Sequence, residues 1–244
     1  RKLHLGMIEI KRFGDQGLLV NFEQKIDPAI NDKVIALSEA VRTQFSAAIR
    51  FVIPAYCSLT IQYDPGLVSF QVLSSHIHRL FKKGKGDQAR KTRHLVVPVC
   101  YDPVFGLDIE DFCQTKAWET AELIRRHVEP LYRVYMLGFL PGFVYMGKLP
   151  ETLQCKRRST PRLRVPERSV AIAGAQTGIY PSEAPGGWHI IGRTPLALMR
   201  PQEEEGFLFK AGDQVQFKSI TLEQYQEIEV QVEQGLYVLE TSYV

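Results

Sequence analysis

The sequence contains few cysteines, and none of them are close enough together to form a metal or redox motif. Cys57, Cys100, Cys113 and Cys155 are scattered along 244 residues. Zinc sites and dithiol redox centres need closely spaced pairs, because two thiolates must converge on one centre. We therefore expect no bound metal in this chain, and reduced thiols of the kind found in the cytoplasm.

Long apolar runs and a strong excess of charge are also missing. No stretch approaches the roughly 20 apolar residues that a membrane helix needs, and the N-terminus lacks the apolar core of a secretory signal. The net charge of +3 is too small to indicate nucleic-acid binding. We expect a folded cytoplasmic protein whose partners include neither membrane nor nucleic acid. Residues 1–6 precede Met7, and we draw no conclusion from them.

The signatures of self-contained hydrolases and metalloenzymes are absent as well. The sequence has no G-x-S-x-G and no H-E-x-x-H motif. The segment 142–149 resembles a phosphate-binding loop, but Leu149 replaces the Ser or Thr that holds magnesium there. Pro150 also disfavours the helix that should follow such a loop. We reject a nucleotide site in this segment, and the sequence identifies no catalytic residue.

The pattern of strands and helices predicts two domains. Residues 1–81 contain the order strand, strand, helix twice, which suits one antiparallel sheet backed by two helices. Residues 82–93 carry six basic side chains and one acidic one, and they predict a solvated linker. In residues 94–244, a strand and then one or two helices over 108–127 precede short strands separated by Gly and Pro turns. This pattern of closely spaced strands and turns predicts a compact β-barrel-like domain.

Three neighbouring segments have the composition of a binding region. Residues 135–150 set aromatic rings among glycines, 155–168 carry six basic residues against one acidic, and 170–195 offer hydrogen-bonding and stacking groups. The alternatives are a buried hairpin corner for the first segment and a solvated loop for the second. The residues that we expect to bind a substrate or partner are Gly138, Phe139, Pro141, Gly142, Phe143, Arg158, Pro161, Arg162, Gln176, Tyr180, Pro185, Gly186, Gly187, Trp188, Arg193 and Thr194.

The same segments carry a family resemblance. The runs GFLPGF, RRSTPRLRVPERSVAIAG, QTGIYP and PGGWHIIGRTP resemble the signature of the family of 5-oxoprolinase B subunits, also called allophanate hydrolase subunit 1. That family includes the kinase A inhibitor KipI. The similarity extends outwards to FGDQGLLVNF and FLFKAGDQVQFKSI, and it covers residues 7–220. One departure is Arg168, which stands where the family usually has glycine before the serine.

The resemblance implies an α+β protein, with a small α+β N-terminal domain followed by a cyclophilin-like β-barrel C-terminal domain. It implies the B subunit of an ATP-dependent 5-oxoprolinase complex, inactive alone, which hydrolyses 5-oxo-L-proline to L-glutamate together with subunits A and C. The B and C subunits would together resemble a carboxyltransferase domain of biotin-dependent enzymes. ATP would be used with a divalent cation, expected to be magnesium, at the level of the complex.

Such a reaction would phosphorylate the lactam oxygen before water adds, so it needs cations facing phosphoryl and carboxylate oxygens. We expect Arg158, Arg162 and Arg193 to contact anions, and Gln176 and Tyr180 to orient the substrate. Alanine at Arg162 or Arg193 should then lower activity without unfolding the barrel.

Two other functions stay open at this point. The chain could inhibit a sensor histidine kinase through an apolar groove formed by Phe139, Phe143 and Trp188. It could instead be a hydrolase or carboxyltransferase subunit of an allophanate or urea pathway, acting on a ureido acid. A cyclophilin-type prolyl isomerase is not expected, because a shared barrel does not transfer an active site.

Overall fold

The computed structural model describes residues 8–83, 92–202 and 206–243. The chain divides into two compact units at residues 90 and 91. Residues 1–6 and most of the predicted linker, 84–91, lie outside the described residues. Among the residues that are described, no helix is long and apolar enough to cross a bilayer.

The first unit is a four-stranded antiparallel sheet packed with two helices. The strands follow the order β1-β2-β4-β3. Asp27 accepts hydrogen bonds from the backbone N–H groups of Ala29 and Ile30, and Pro28 occupies the first turn, so the start of α1 is well capped. The elements are β1 (Glu9–Arg12), β2 (Gly17–Asn21), α1 (Pro28–Gln44), β3 (Ile49–Pro54), β4 (Ser58–Tyr63) and α2 (Phe70–Lys83).

The second unit is a closed barrel of seven strands in the order β12-β9-β10-β7-β6-β13-β5, with β12 pairing back onto β5. Strand β13 runs parallel to β5, and β14 pairs with β5 from outside the ring. The elements are β5 (Arg93–Cys100), α3 (Ile109–Lys116), α4 (Thr120–Val128), β6 (Leu131–Leu137), β7 (Val144–Gly147), a 3-10 helix (Glu151–Leu153), β8 (Arg162–Val165), β9 (Ser169–Ala173), β10 (Gln176–Ile179), β11 (Ala184–Gly186), β12 (His189–Arg193), β13 (Gln214–Ile220), α5 (Leu222–Glu233) and β14 (Thr241–Tyr243).

The predicted fold class, a small α+β domain followed by a cyclophilin-like β-barrel, is confirmed. Three local expectations are corrected. Both ends of the predicted linker belong to regular structure, since α2 continues through Lys83 and β5 begins at Arg93. The run Pro185-Gly186-Gly187 indicates a tight turn, but residues 184–186 form a strand paired with β8. The exposed Pro185 fits there because a two-stranded sheet leaves one edge unpaired. Helix α5 is not expected from the sequence pattern.

The main core of the barrel unit encloses a histidine that is completely buried. His127 donates from Nε2 to the hydroxyl of Thr177 at 2.9 Å, because that hydroxyl already donates to the carbonyl of Ala171 at 3.1 Å. The hydroxyl of Tyr101 donates to Nδ1 at 2.7 Å, and the imidazole stacks on Phe217 with ring centroids 4.6 Å apart. Burial lowers the pKa of His127 to about 3, so the ring is neutral at physiological pH.

We predict that this histidine makes the chain less stable as the pH falls below neutrality. In the unfolded chain a histidine takes up its proton near pH 6.5, whereas folded His127 stays neutral down to about pH 3. Between these values the unfolded state binds more protons, so the free energy of unfolding should fall by about 1.4 kcal/mol per pH unit from this residue.

Urea unfolding at several pH values between 7 and about 5 measures this slope. That pH range lies above the one in which most carboxylates titrate. His127→Gln keeps a donor and an acceptor but cannot titrate, so its stability should start lower and vary less with pH. Parallel slopes for the two proteins would contradict the assignment.

Candidate functional site

Three of the four aromatic rings expected to form a binding surface instead belong to a second, buried core of the barrel unit. The ring of Phe143 lies 4.9 Å from that of Tyr180 and 5.6 Å from that of Trp188, edge to face in both pairs. Glycine is required at position 178, where a Cβ atom would lie 3.1 Å from both Phe143 and Trp188. All three rings are buried, which matches the hairpin-corner alternative and leaves them no face for stacking on a ligand.

The remaining predicted wall residues lie around this second core. The turn between β6 and β7 contains Gly138, Phe139, Pro141 and Gly142, and the phenylalanine there is 65% exposed with a φ of 69°. Pro161, Pro185, Gly186 and Gly187 lie in or beside the small β8–β11 sheet. The two predicted wall segments therefore meet in the packed second core, where Phe143 contacts Trp188.

Two predicted anion contacts, Arg158 and Arg162, are already paired within the chain. Both guanidinium groups donate to the carboxylate of Asp108, which is only 1% exposed. Arg162 binds its two oxygens at 2.7 and 2.8 Å, and the backbone N–H of Ile190 donates to the same carboxylate at 2.7 Å. The acid lies 50 residues before Arg158, and no local pattern in the sequence pairs them.

This pairing gives Arg162 a structural role, and its predicted contact with a ligand anion stays a prediction. Its guanidinium compensates a buried carboxylate, so alanine at this position would leave the Asp108 charge with fewer partners and weaken the fold. Asp108 joins the segment before α3 to strands β8 and β12, and it holds the basic segment against the barrel.

Arg193 and Thr194 do not join this cluster. The Nε of Arg193 donates to the carbonyl of Glu167 at 3.0 Å, and the backbone N–H of Thr194 donates to the carbonyl of Arg168 at 3.1 Å. Arg168 has a φ of 64°, a conformation that favours glycine and accounts for the glycine expected there. Its guanidinium forms an ion pair with Glu229 of α5 at 3.0 Å.

Gln176, by contrast, lines an open groove of about 540 Å³, which we call the Gln176 groove. One wall is the chain from Gln154 to Arg157, and the other is the end of β9 with the turn into β10. Its lining is Gln154, Cys155, Lys156, Arg157, Ala173, Gly174, Ala175 and Gln176.

Hydrogen bonds to both sides fix the wall that carries the cations. The carbonyl of Cys155 accepts from the N–H of Gly174 at 2.6 Å, which joins the two walls. His189 donates from Nε2 to the carbonyl of Lys156 at 3.0 Å, and Arg158, at the end of this wall, donates its N–H to the carbonyl of Gly187 at 2.8 Å. The groove is therefore largely formed before any ligand enters.

The groove is positively charged, but it contains no activated nucleophile. Lys156 and Arg157 are exposed, and neither side chain makes an ion pair or hydrogen bond to another residue of the described chain. Burial raises the pKa of the Cys155 thiol to about 11, and the neighbouring Lys116 ammonium opposes this only in part. The thiol therefore stays protonated, and the chemistry available is anion and amide binding. Sequence reasoning missed Arg157, although it lies in the predicted basic segment.

The segment that resembles a phosphate-binding loop does not fold as one. Strand β7 occupies residues 144–147, so the segment that resembles a phosphate loop is extended, and only the short 3-10 helix Glu151–Leu153 follows it, not an α-helix. Within the described ranges, no three His, Cys, Asp or Glu side chains are grouped closely enough to hold a metal ion.

Comparison with known proteins identifies relatives along most of the chain. The family model for the carboxyltransferase domain, subdomain C and D, matches residues 8–209. The protein named as the B subunit of 5-oxoprolinase in Bacillus subtilis (strain 168) is 36% identical over 227 residues, covering 89% of this chain and 95% of the relative. A protein of the same name in Haemophilus influenzae is 43% identical over 150 residues, covering 62% of this chain and 70% of that protein.

Solved structures show the same fold within longer polypeptides. The structure of TTHA0988 is 35% identical with a TM-score of 0.75, and the match covers 84% of this chain but 40% of that chain. The Kluyveromyces lactis urea amidolyase shares the fold with a TM-score of 0.79 at 16% identity, over 97% of this chain and 16% of that chain. On the family model and the Bacillus relative together, the chain belongs to the family of 5-oxoprolinase B subunits, within the carboxyltransferase subdomain C and D proteins.

Proposed function

We propose that this chain is the B subunit of an ATP-dependent 5-oxoprolinase complex, which hydrolyses 5-oxo-L-proline to L-glutamate with subunits A and C. The observation that supports this most strongly is the near full-length match to the Bacillus subtilis protein, at 36% identity over 95% of its length. The four free thiols suit a reducing compartment, so we place the complex in the cytoplasm.

The contribution of this chain to the reaction is binding and orientation. Cys155 is not activated as a nucleophile, because its thiol keeps its proton. His127 is not available as a base for a substrate, because it is buried in the core. We propose that ATP and its divalent cation, expected to be magnesium, bind on another subunit, because the segment that resembles a phosphate loop continues as strand β7. The chain alone would then have no hydrolase activity.

The two alternative functions have weaker support. The urea amidolyase match at 16% identity indicates a shared fold and carries no information on substrate. The kinase-inhibitor hypothesis needs Phe143 and Trp188 in an exposed apolar groove, whereas both rings are packed in the second core.

We predict that glutamate release from 5-oxoproline requires this chain, subunits A and C, ATP and magnesium together. Omitting any one component should abolish product, because the groups for nucleotide binding and for lactam binding lie on different subunits. Glutamate formation is measured enzymatically with each component left out in turn. Product from this chain alone would contradict the prediction. An inactive complex of verified composition would redirect attention to a ureido substrate.

We also predict that Arg162→Ala destabilises the barrel unit by about 2–3 kcal/mol, because it removes two of the hydrogen bonds that compensate a buried carboxylate. Arg164→Ala is the matched control on the same strand. Its side chain is 82% exposed and pairs only with Glu183 at 3.6 Å, so it should change stability by less than about 0.5 kcal/mol. Urea unfolding compares the two variants, and equal effects would show that Asp108 does not depend on Arg162.

A further inference from the structure

We propose that the Gln176 groove binds the lactam substrate itself, recognising a small molecule that carries a carboxylate beside a planar amide. The choice of 5-oxoproline as that molecule rests on the proposed function, whereas the site is argued from side chains of this chain alone. Two groups carry the recognition, the carboxamide of Gln176 for the amide and the guanidinium of Arg157 for the carboxylate.

The carboxamide of Gln176 is chemically matched to a lactam. A side-chain amide presents an N–H donor and a C=O acceptor side by side. A lactam presents the complementary pair on one edge, because its ring holds the amide in the cis form. Gln176 is the first residue of β10, where its backbone is fixed between Gly147 and Ala173, and its side chain makes no hydrogen bond to any other described residue. It is therefore free to pair with a ligand.

The cations of the groove are equally available for a carboxylate. Lys156 and Arg157 are the only charged groups in the lining, which includes no Asp or Glu. A guanidinium binds a carboxylate through two parallel hydrogen bonds, which fixes both its position and its orientation. Arg158 and Arg162, in the same basic segment, form ion pairs with Asp108. Arg157 is therefore the arginine of the groove lining that can bind a ligand.

The shape of the groove fits a shared active site. The wall opposite the cations is made of the small residues Ala173, Gly174 and Ala175, and a Cβ atom added at position 174 would meet nothing within 4 Å. The volume of about 540 Å³ exceeds that of a five-membered ring, and the groove is open on one side. A lactam held by Arg157 and Gln176 would leave its carbonyl region accessible to groups supplied by another subunit.

The first test is titration of the full chain by calorimetry with three probes. 5-Oxoproline carries both recognised groups, L-proline lacks the ring carbonyl, and pyrrolidinone lacks the carboxylate. We expect 5-oxoproline to bind at least about tenfold more tightly than either analogue, since each lacks one set of hydrogen bonds, one of them charge-assisted. Equal affinity for all three, or displacement of 5-oxoproline by inorganic phosphate at equal concentration, would overturn the proposal.

Variants then assign each half of the recognition. Arg157→Gln should weaken 5-oxoproline about tenfold while leaving pyrrolidinone unchanged, because only the carboxylate contact is lost. Gln176→Leu should weaken both lactams more than proline, because a lactam loses two hydrogen bonds to the carboxamide whereas the proline ammonium can donate only to its oxygen. Arg164→Gln, an exposed arginine outside the groove, is the matched control and should bind all three probes as the original chain does.

The assembled complex separates failure of this site from failure of the proposed function. In an active complex, Arg157→Gln should raise the KM for 5-oxoproline about tenfold, and Arg164→Gln should not. An active complex whose KM is the same in all variants overturns the groove and leaves the function standing. An inactive complex overturns the function, and the titration of the chain alone then decides whether the groove binds lactam acids.

Discussion

The arrangement of the barrel unit depends on one buried carboxylate. Asp108 is removed from water, and its charge is compensated by Arg158, Arg162 and the N–H of Ile190. Such a group is costly to bury unless every oxygen has partners, so the segments that supply those partners are held together. The chain before α3, the basic segment and strand β12 therefore meet at this point. The wall of the Gln176 groove that carries Lys156 and Arg157 leads directly into Arg158. The ion pair of Arg158 with Asp108 therefore helps to fix the position of this wall.

One basic segment thus serves two purposes. Arg158 and Arg162 turn inward and stabilise the fold, whereas Lys156 and Arg157 face solvent and give the groove its positive charge. The nearby rings of Phe143 and Trp188 are both buried in the second core. A groove whose walls are joined by hydrogen bonds, and whose cations and carboxamide have no partner among the described residues, suits the proposed role of a subunit that holds a substrate for chemistry completed by its partners.

Much of the fold follows from local patterns in the sequence. The cap formed by Asp27 and Pro28 begins α1, and the density of Gly and Pro turns indicates the barrel. The capping box from Thr221 to Gln224 could have predicted α5. It is easily overlooked because the sequence before it has the pattern of short strands. The site is less predictable, because the pairing of Asp108 with Arg162 spans 54 residues. Composition also cannot show whether an aromatic ring is buried or exposed. A glycine beside such a ring can make room for packing, as Gly178 does, or for a ligand, and the two cases look the same in the sequence.

The central claim is that this chain holds the lactam while other subunits act on it. A crystal structure of the complex with subunits A and C, soaked with 5-oxoproline, tests it most directly. The account predicts the carboxylate of the bound lactam against Arg157 and its ring amide against Gln176, with the open side of the groove facing another subunit. Density for the lactam enclosed entirely within a partner subunit, with an empty Gln176 groove, would contradict it.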